Sequence, residues 1–138
     1  MGKKWRTKND AFKSAKKSWM CTSCRTIYHQ KGVKECTECG HRDIQYFMSE
    51  KERNRAAELI LLKQSGRISH LKFQPRYDLK VDGIKVTTYV ADASYVRDGK
   101  QIIEDTKPEK FIDPLSKLKI NLFNAINAKH GLNVTFFK

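Results

Sequence analysis

From residue 49 onward the alternation of apolar and polar positions predicts a defined run of elements. Ser49 followed three residues later by Glu52 has the form of an N-terminal capping box, and Gly66 supplies a stop. Between them Ala56, Leu59, Ile60 and Leu62 form an apolar stripe at helical spacing, which predicts a helix over 49–66. Residues 71–81 are β-type but are interrupted by Pro75, the mark of an edge strand or a bulge. Asp82-Gly83 and Asp98-Gly99 both supply the positive φ angles of tight hairpin turns. Residues 84–96 therefore read as a long strand, and the segment up to Lys107 as its hairpin partner. Asp113 and Pro114 suit the N-cap and first positions of a second helix, with Leu115, Leu118, Leu122 and Ile126 on one face and Gly131 as the stop. Residues 132–137 read as a buried last strand. The order α-β-β-β-α-β predicts an α/β fold, with helices flanking a mixed sheet over 46–138.

The first third of the chain follows different rules. Cys21-x2-Cys24, eleven residues, then Cys36-x2-Cys39 has the spacing of two metal-binding knuckles. No apolar secretion signal precedes it, so a structural zinc site held by the four thiolates is expected over 21–45, with reversible disulfides as the alternative. The four cysteines already close a tetrahedral site, so His29 and His41 are not needed as ligands. Thr26, Ile27 and Tyr28 are expected to begin the only strand of this zinc ribbon. Residues 1–20 hold seven basic residues against one acid, Asp10. This arm either tracks phosphates, through Lys3, Lys4, Arg6, Lys16 and Lys17, or is a solvated tail. Trp5 and Trp19 would stack on bases or pack on the zinc module.

Composition narrows the partner. The net charge of +13 on 138 residues favours polyanions, with nucleic acid ahead of an anionic membrane. Four thiolates and one doubly positive ion would bring +13 only to +11. No apolar run approaches the ~20 residues needed to span a bilayer, so a location in the cell interior is expected.

The chemistry concentrates on the second hairpin. Its first strand carries Asp92; its second carries Asp105 and Lys107, which share a face because strand side chains alternate. Two carboxylates and an amine on one small sheet suit a phosphodiesterase that holds a divalent cation against the scissile phosphate. In this reading Asp92 and Asp105 are ligands to Mg²⁺ or Mn²⁺, and the Thr106 carbonyl adds a third oxygen. Lys107 orients the attacking water or neutralises charge developing on the phosphate. Glu52 shares a helix face with Ala56 and Leu59, so it is either an inward ligand to the metal or its water, or a capping-box residue. The competing reading makes Asp92 and Asp105 strand-end carboxylates paired with lysines. Glu104, on the other strand face, is expected to meet a basic neighbour or solvent, and Asp98 is a turn residue.

The set Glu52, Asp92 and Asp105-Thr106-Lys107 resembles the PD-(D/E)XK nuclease superfamily, whose core has the same element order. The segments FMSEKERNRAAEL (47–59), GRI (66–68), LKFQPRY (71–77), YVAD (89–92) and EDTK (104–107) resemble small phage-encoded members of that superfamily. The likeness covers roughly residues 46–138; the zinc module and arm lie outside it. It implies a restriction-endonuclease-like core and a metal-dependent endonuclease, and similar small phage nucleases resolve Holliday junctions as dimers. Ala91 stands where the superfamily name has Pro, and Asp105 where Glu is commoner. The Pro does no chemistry and Asp still binds metal. Gln74, Pro75 and Arg76 belong to the likeness, Arg76 either as a phosphate contact or as an edge-strand surface residue. So small a protein offers little surface for reading a long site, which favours branched DNA such as a junction, fork or flap, cut by a homodimer. The alternatives are a sequence-specific or nicking restriction-like nuclease, an RNA substrate, and a non-catalytic zinc-ribbon nucleic-acid binder.

Overall fold

The computed structural model describes residues 17–106 and 112–137. It has two compact units, Met1–Ile60 and Leu61–Lys138, divided within the first helix. The fold is mixed α/β, with two helices and three small sheets among the described residues.

In the first unit, β1 (Ser18–Cys21), β2 (Ile27–Tyr28) and β3 (Ile44–Phe47) form an antiparallel sheet in the order β2-β1-β3. The ribbon thus has three strands rather than the single one expected, and β1 starts inside the stretch assigned to the arm. Trp19 pairs with Tyr28 on one side and Tyr46 on the other, and its ring lies 5.2 Å from that of Tyr46. It thus packs on the cysteine ribbon, one of its two expected roles. Helix α1 (Glu50–Gln64) starts where expected: the Glu52 amide donates to Ser49 Oγ at 3.2 Å. Ala56, Leu59 and Ile60 are its buried positions. At its end Gly66 adopts φ +77°, a left-handed conformation that costs a residue with Cβ about 1 kcal/mol, while the Arg67 amide caps the Leu62 carbonyl at 2.9 Å. Arg53 ties α1 to the ribbon by donating from Nη1 to the buried Ser18 Oγ at 3.1 Å.

The second unit holds the remaining strands. The stretch 71–81 is divided at Gln74 and Pro75 into β4 (Ser69–Phe73) and β5 (Arg76–Val81). The long strand is divided at Ala91 and Asp92 into β6 (Ile84–Val90) and β7 (Ala93–Arg97). The two breaks face each other: the Gln74 amide donates to the Asp92 carbonyl at 3.0 Å and the Ala91 amide to the Pro75 carbonyl at 3.2 Å. One long hairpin therefore bends as a unit, its distal half forming the two-stranded β5-β6 ribbon and its proximal half contributing β4 and β7 to the central sheet. That sheet runs β4-β7-β8-β9, with β8 (Lys100–Asp105) antiparallel to β7 and parallel to β9 (Val134–Phe136). Both Asp-Gly turns have the expected positive φ, +50° and +77° at Asp82-Gly83, +51° and +74° at Asp98-Gly99.

Helix α2 (Pro114–Asn127) begins with Asp113 accepting from the Ser116 amide at 3.1 Å, and a 3₁₀ turn (Ala128–His130) leads to Gly131. Its buried residues are Ile120 and Phe123, which join Leu79, Tyr89, Ala91, Ile103 and Val134 in the core. The stripe expected to face inward behaves otherwise: Leu115 and Leu118 are 60% and 63% exposed, and Leu122 and Ile126 are half-buried at the core margin. The helix has two apolar faces, and the aromatic contacts of Phe123 with Tyr77 and Tyr89, at 5.1 and 5.6 Å, select the other one.

Candidate functional site

The break between β6 and β7 places Asp92 at the bend, not within a strand. Its backbone amide donates to the Glu104 carbonyl at 3.1 Å, one residue beyond the Ala93–Glu104 pair. Its Oδ2 accepts from the amide of Thr106 at 2.7 Å and from the Thr106 hydroxyl at 2.6 Å. Asp105, the last residue of β8, is buried, and its Oδ2 accepts from the Tyr89 hydroxyl at 3.1 Å. The two carboxylates thus lie at the same bend, one held by the peptide that follows the other. Tyr89 registers both: burial first, then the charge of Asp105 and its hydrogen bond, then the charge of Asp92, hold its hydroxyl neutral far above the usual phenol range.

The arrangement departs from expectation in several particulars. Thr106 is a double donor to Asp92, through groups other than the carbonyl first assigned to it. Glu104 does not face solvent: it is buried on the opposite strand face and accepts from the Tyr95 hydroxyl at 2.9 Å. Strand alternation sets Ile103 and Asp105 on the α2 side and Glu104 with Tyr95 on the other. Lys107 lies outside the described residues, as do Lys3, Lys4, Arg6 and Lys16. Lys17 and Arg76 are exposed, Arg76 at the first position of β5 just after the bend. Glu52 belongs to the first unit, where it is half-buried in the first turn of α1. Tyr89 was invisible as a site residue from sequence, because a strand tyrosine three positions before an aspartate carries no signal of its own.

The cysteines converge. Their four Sγ atoms lie within 4.8 Å of one another, Cys21 to Cys39 at 3.6 Å and Cys24 to Cys36 at 3.5 Å. A tetrahedron with metal–sulfur bonds of about 2.3 Å has edges of about 3.8 Å, whereas a disulfide needs about 2.05 Å. The four thiols are free and could hold a structural metal ion such as zinc. They are the only group of three or more potential ligands with such spacing among the described residues. Each knuckle is a tight turn, closed by the Arg25 amide on the Cys21 carbonyl at 3.0 Å and by the Gly40 amide on the Cys36 carbonyl at 2.8 Å. The protein also tunes the thiols. The Tyr28 hydroxyl donates to Cys36 Sγ at 3.3 Å and brings that thiol down to about 5. The Thr26 hydroxyl lowers Cys24, while burial raises Cys21 to about 11. His29 and His41 are exposed and take no part in the cluster.

Compared with protein-family models, curated proteins and solved structures, the chain gives no significant match. No described helix is long and apolar enough to cross a membrane.

Proposed function

We propose that the protein is a divalent-metal-dependent DNA endonuclease of the PD-(D/E)XK type, with a structural zinc ion in the four-cysteine ribbon. The observation that carries the reading is the pair of carboxylates gathered at one hairpin bend around Tyr89 and Thr106. The element order from α1 to β9, with two bent strands counted once each and β9 parallel to β8, supports an αβββαβ core of the restriction-endonuclease kind. The donor set also fits the cation, since Mg²⁺ and Mn²⁺ take hard carboxylate oxygens and keep sites for water and phosphate. Bound there, the ion would polarise the phosphate and lower the pKa of a bound water.

Each residue has a definite task. Asp92 and Asp105 hold the ion. Thr106 fixes the Asp92 carboxylate by two donors to one oxygen, so that little reorganisation accompanies binding. Tyr89 stays protonated and orients Asp105. Lys107 is assigned to the attacking water or the phosphate charge, and Glu52 to the metal or its water. The substrate is branched DNA, a Holliday junction, fork or flap, cut by a homodimer. The net charge of +13, with Arg76, Lys17 and the basic residues of the arm, supplies grip on the backbone.

Incubation of labelled four-way junction, fork, single-stranded and linear duplex DNA, with and without Mg²⁺, tests the proposal. Mg²⁺-dependent cleavage is expected, abolished by Asp92→Ala and by Asp105→Ala while DNA binding persists or tightens. Glu52→Gln and Lys107→Ala test the two remaining assignments by the same assay. Cleavage that survives loss of either aspartate would remove the acid pair from the mechanism. Binding indifferent to metal, with no cleavage of any substrate, would favour the non-catalytic binder.

A further inference from the structure

The bend that presents Asp92 also opens a cavity of about 330 Å³, lined by His70, Lys72, Arg76, Tyr77, Ser94 and Gln101 among others. Among the described residues no carboxylate lines it, whereas two fixed cations and a histidine do. A wider cleft of about 840 Å³ beside the Asp98-Gly99 turn carries Arg97 and Lys100 as well, but Asp98 stands with them and opposes an anion.

The smaller cavity is connected to the acid pair through the sheet. Register pairs Lys72 with Ser94, Ser94 with Ile103 and Val96 with Gln101, so these residues share the strand face that carries Ile103 and Asp105. Gln101 and Asp105 are separated by four residues of one strand, about 13 Å. Tyr77, which lines the cavity, stacks at 6.5 Å on Tyr89, whose hydroxyl reaches Asp105.

The backbone around Lys72 is strained on both sides. His70 has φ +54° where the β4–β7 register shifts, and Gln74 has φ +52° immediately before Pro75. A residue with Cβ in this region, and more so one preceding proline, is strained and persists only where the surroundings enforce it. The register shift beside His70 and the strand break at Gln74 bracket the cationic wall of the cavity, and irregularities of this kind re-aim side chains.

We propose that this cavity is a subsite for a backbone phosphate of the bound DNA strand, gripped by Lys72 and Arg76 at a fixed distance from the scissile position. The inference rests on the nuclease reading for its ligand. A span of about 13 Å along the sheet covers a few consecutive nucleotides of one continuous backbone. The volume admits a sugar-phosphate unit, and Tyr77 and Ser94 offer hydroxyls beside the cations.

The test compares Lys72→Ala/Arg76→Ala with a control of equal charge loss, Lys80→Ala/Lys129→Ala, on exposed residues away from the cavity. Affinity for labelled duplex and four-way junction DNA is measured without divalent metal across a salt series. The cavity variant is expected to bind about tenfold or more weakly, with the slope of log affinity against log salt reduced by about 2, and the control to change by less than threefold. Cavity and control variants that weaken equally, or wild-type protein that binds neither DNA, would overturn the subsite. Cleavage by wild-type protein and by Asp105→Asn is scored separately. A cavity-specific loss of binding with no cleavage anywhere would retain the subsite and sink the nuclease, and the converse pattern would do the reverse.

Discussion

At Tyr89 a buried hydroxyl is held against Asp105 and within the field of Asp92, which keeps it protonated and makes it a permanent donor. Tyr89→Phe should remove that donor without changing the ring, leaving a buried carboxylate oxygen short of one partner. A loss of about 1–3 kcal/mol in urea denaturation is expected; an unchanged midpoint would mean that water replaces the hydroxyl. The cysteines make a second residue-scale case. Cys36 is lowered from 9.0 to about 5, so its thiolate favours the folded ribbon fully above pH 9, progressively less as pH falls, and not at all once it is protonated below about 5. Cys21 is raised from 9.0 to about 11, so its contribution is complete below pH 9 and lost as pH rises through 11. Metal-free protein should therefore show a thermal midpoint for the ribbon that falls on either side of pH 9. A midpoint flat from pH 9 to pH 5 would contradict the role given to the Tyr28 hydroxyl.

Helix α2 shows how an element with two apolar faces chooses between them. Ile120 and Phe123 enter the core because Tyr77, Tyr89 and Leu79 offer aromatic and aliphatic surface there. Phe123→Ala should accordingly cost about 3–5 kcal/mol through the lost transfer energy and the cavity left behind. Leu118→Ala, at a position 63% exposed, should change stability by less than about 1 kcal/mol. Chemical denaturation of the two variants decides the matter: equal losses would mean that the outer stripe is covered after all. The bent hairpin is the other element-scale device. Pro75 has no amide to give to a ladder, and Gln74 takes a left-handed φ beside it, so the strands change sheets at that point and the partner strand must break opposite, at Ala91 and Asp92.

For the molecule as a whole, the cysteine cluster belongs to the first unit and the acid pair to the second. The ribbon of β1 to β3 is short, and its four thiols could hold a metal ion that cross-links it where hydrophobic burial is scant. Treatment with a strong chelator should sharply weaken, without abolishing, hydrogen-exchange protection at Met20 and Cys21, while Ile103 and Val134 in the second unit keep theirs. Protection of the ribbon unaffected by chelation would exclude a structural metal. Cys21→Ser/Cys24→Ser should reproduce the chelator effect, and a fall in DNA affinity with it would make the ribbon part of the grip.

Much of this was written in local chemistry. The capping serine, the two Asp-Gly turns, Asp113-Pro114 and the paired Cys-x2-Cys motifs each act over a few residues, so the sequence alone determined where helices begin, where hairpins turn and which thiols converge. Tertiary structure decided what depends on distant partners. The inward face of α2 was settled by aromatic rings from β5 and β6, and the burial of Glu104 by Tyr95 across the sheet. The bend of the hairpin and the seating of Asp92 on the Thr106 amide were settled by strand register, which binary pattern cannot report because one residue of slip leaves composition unchanged.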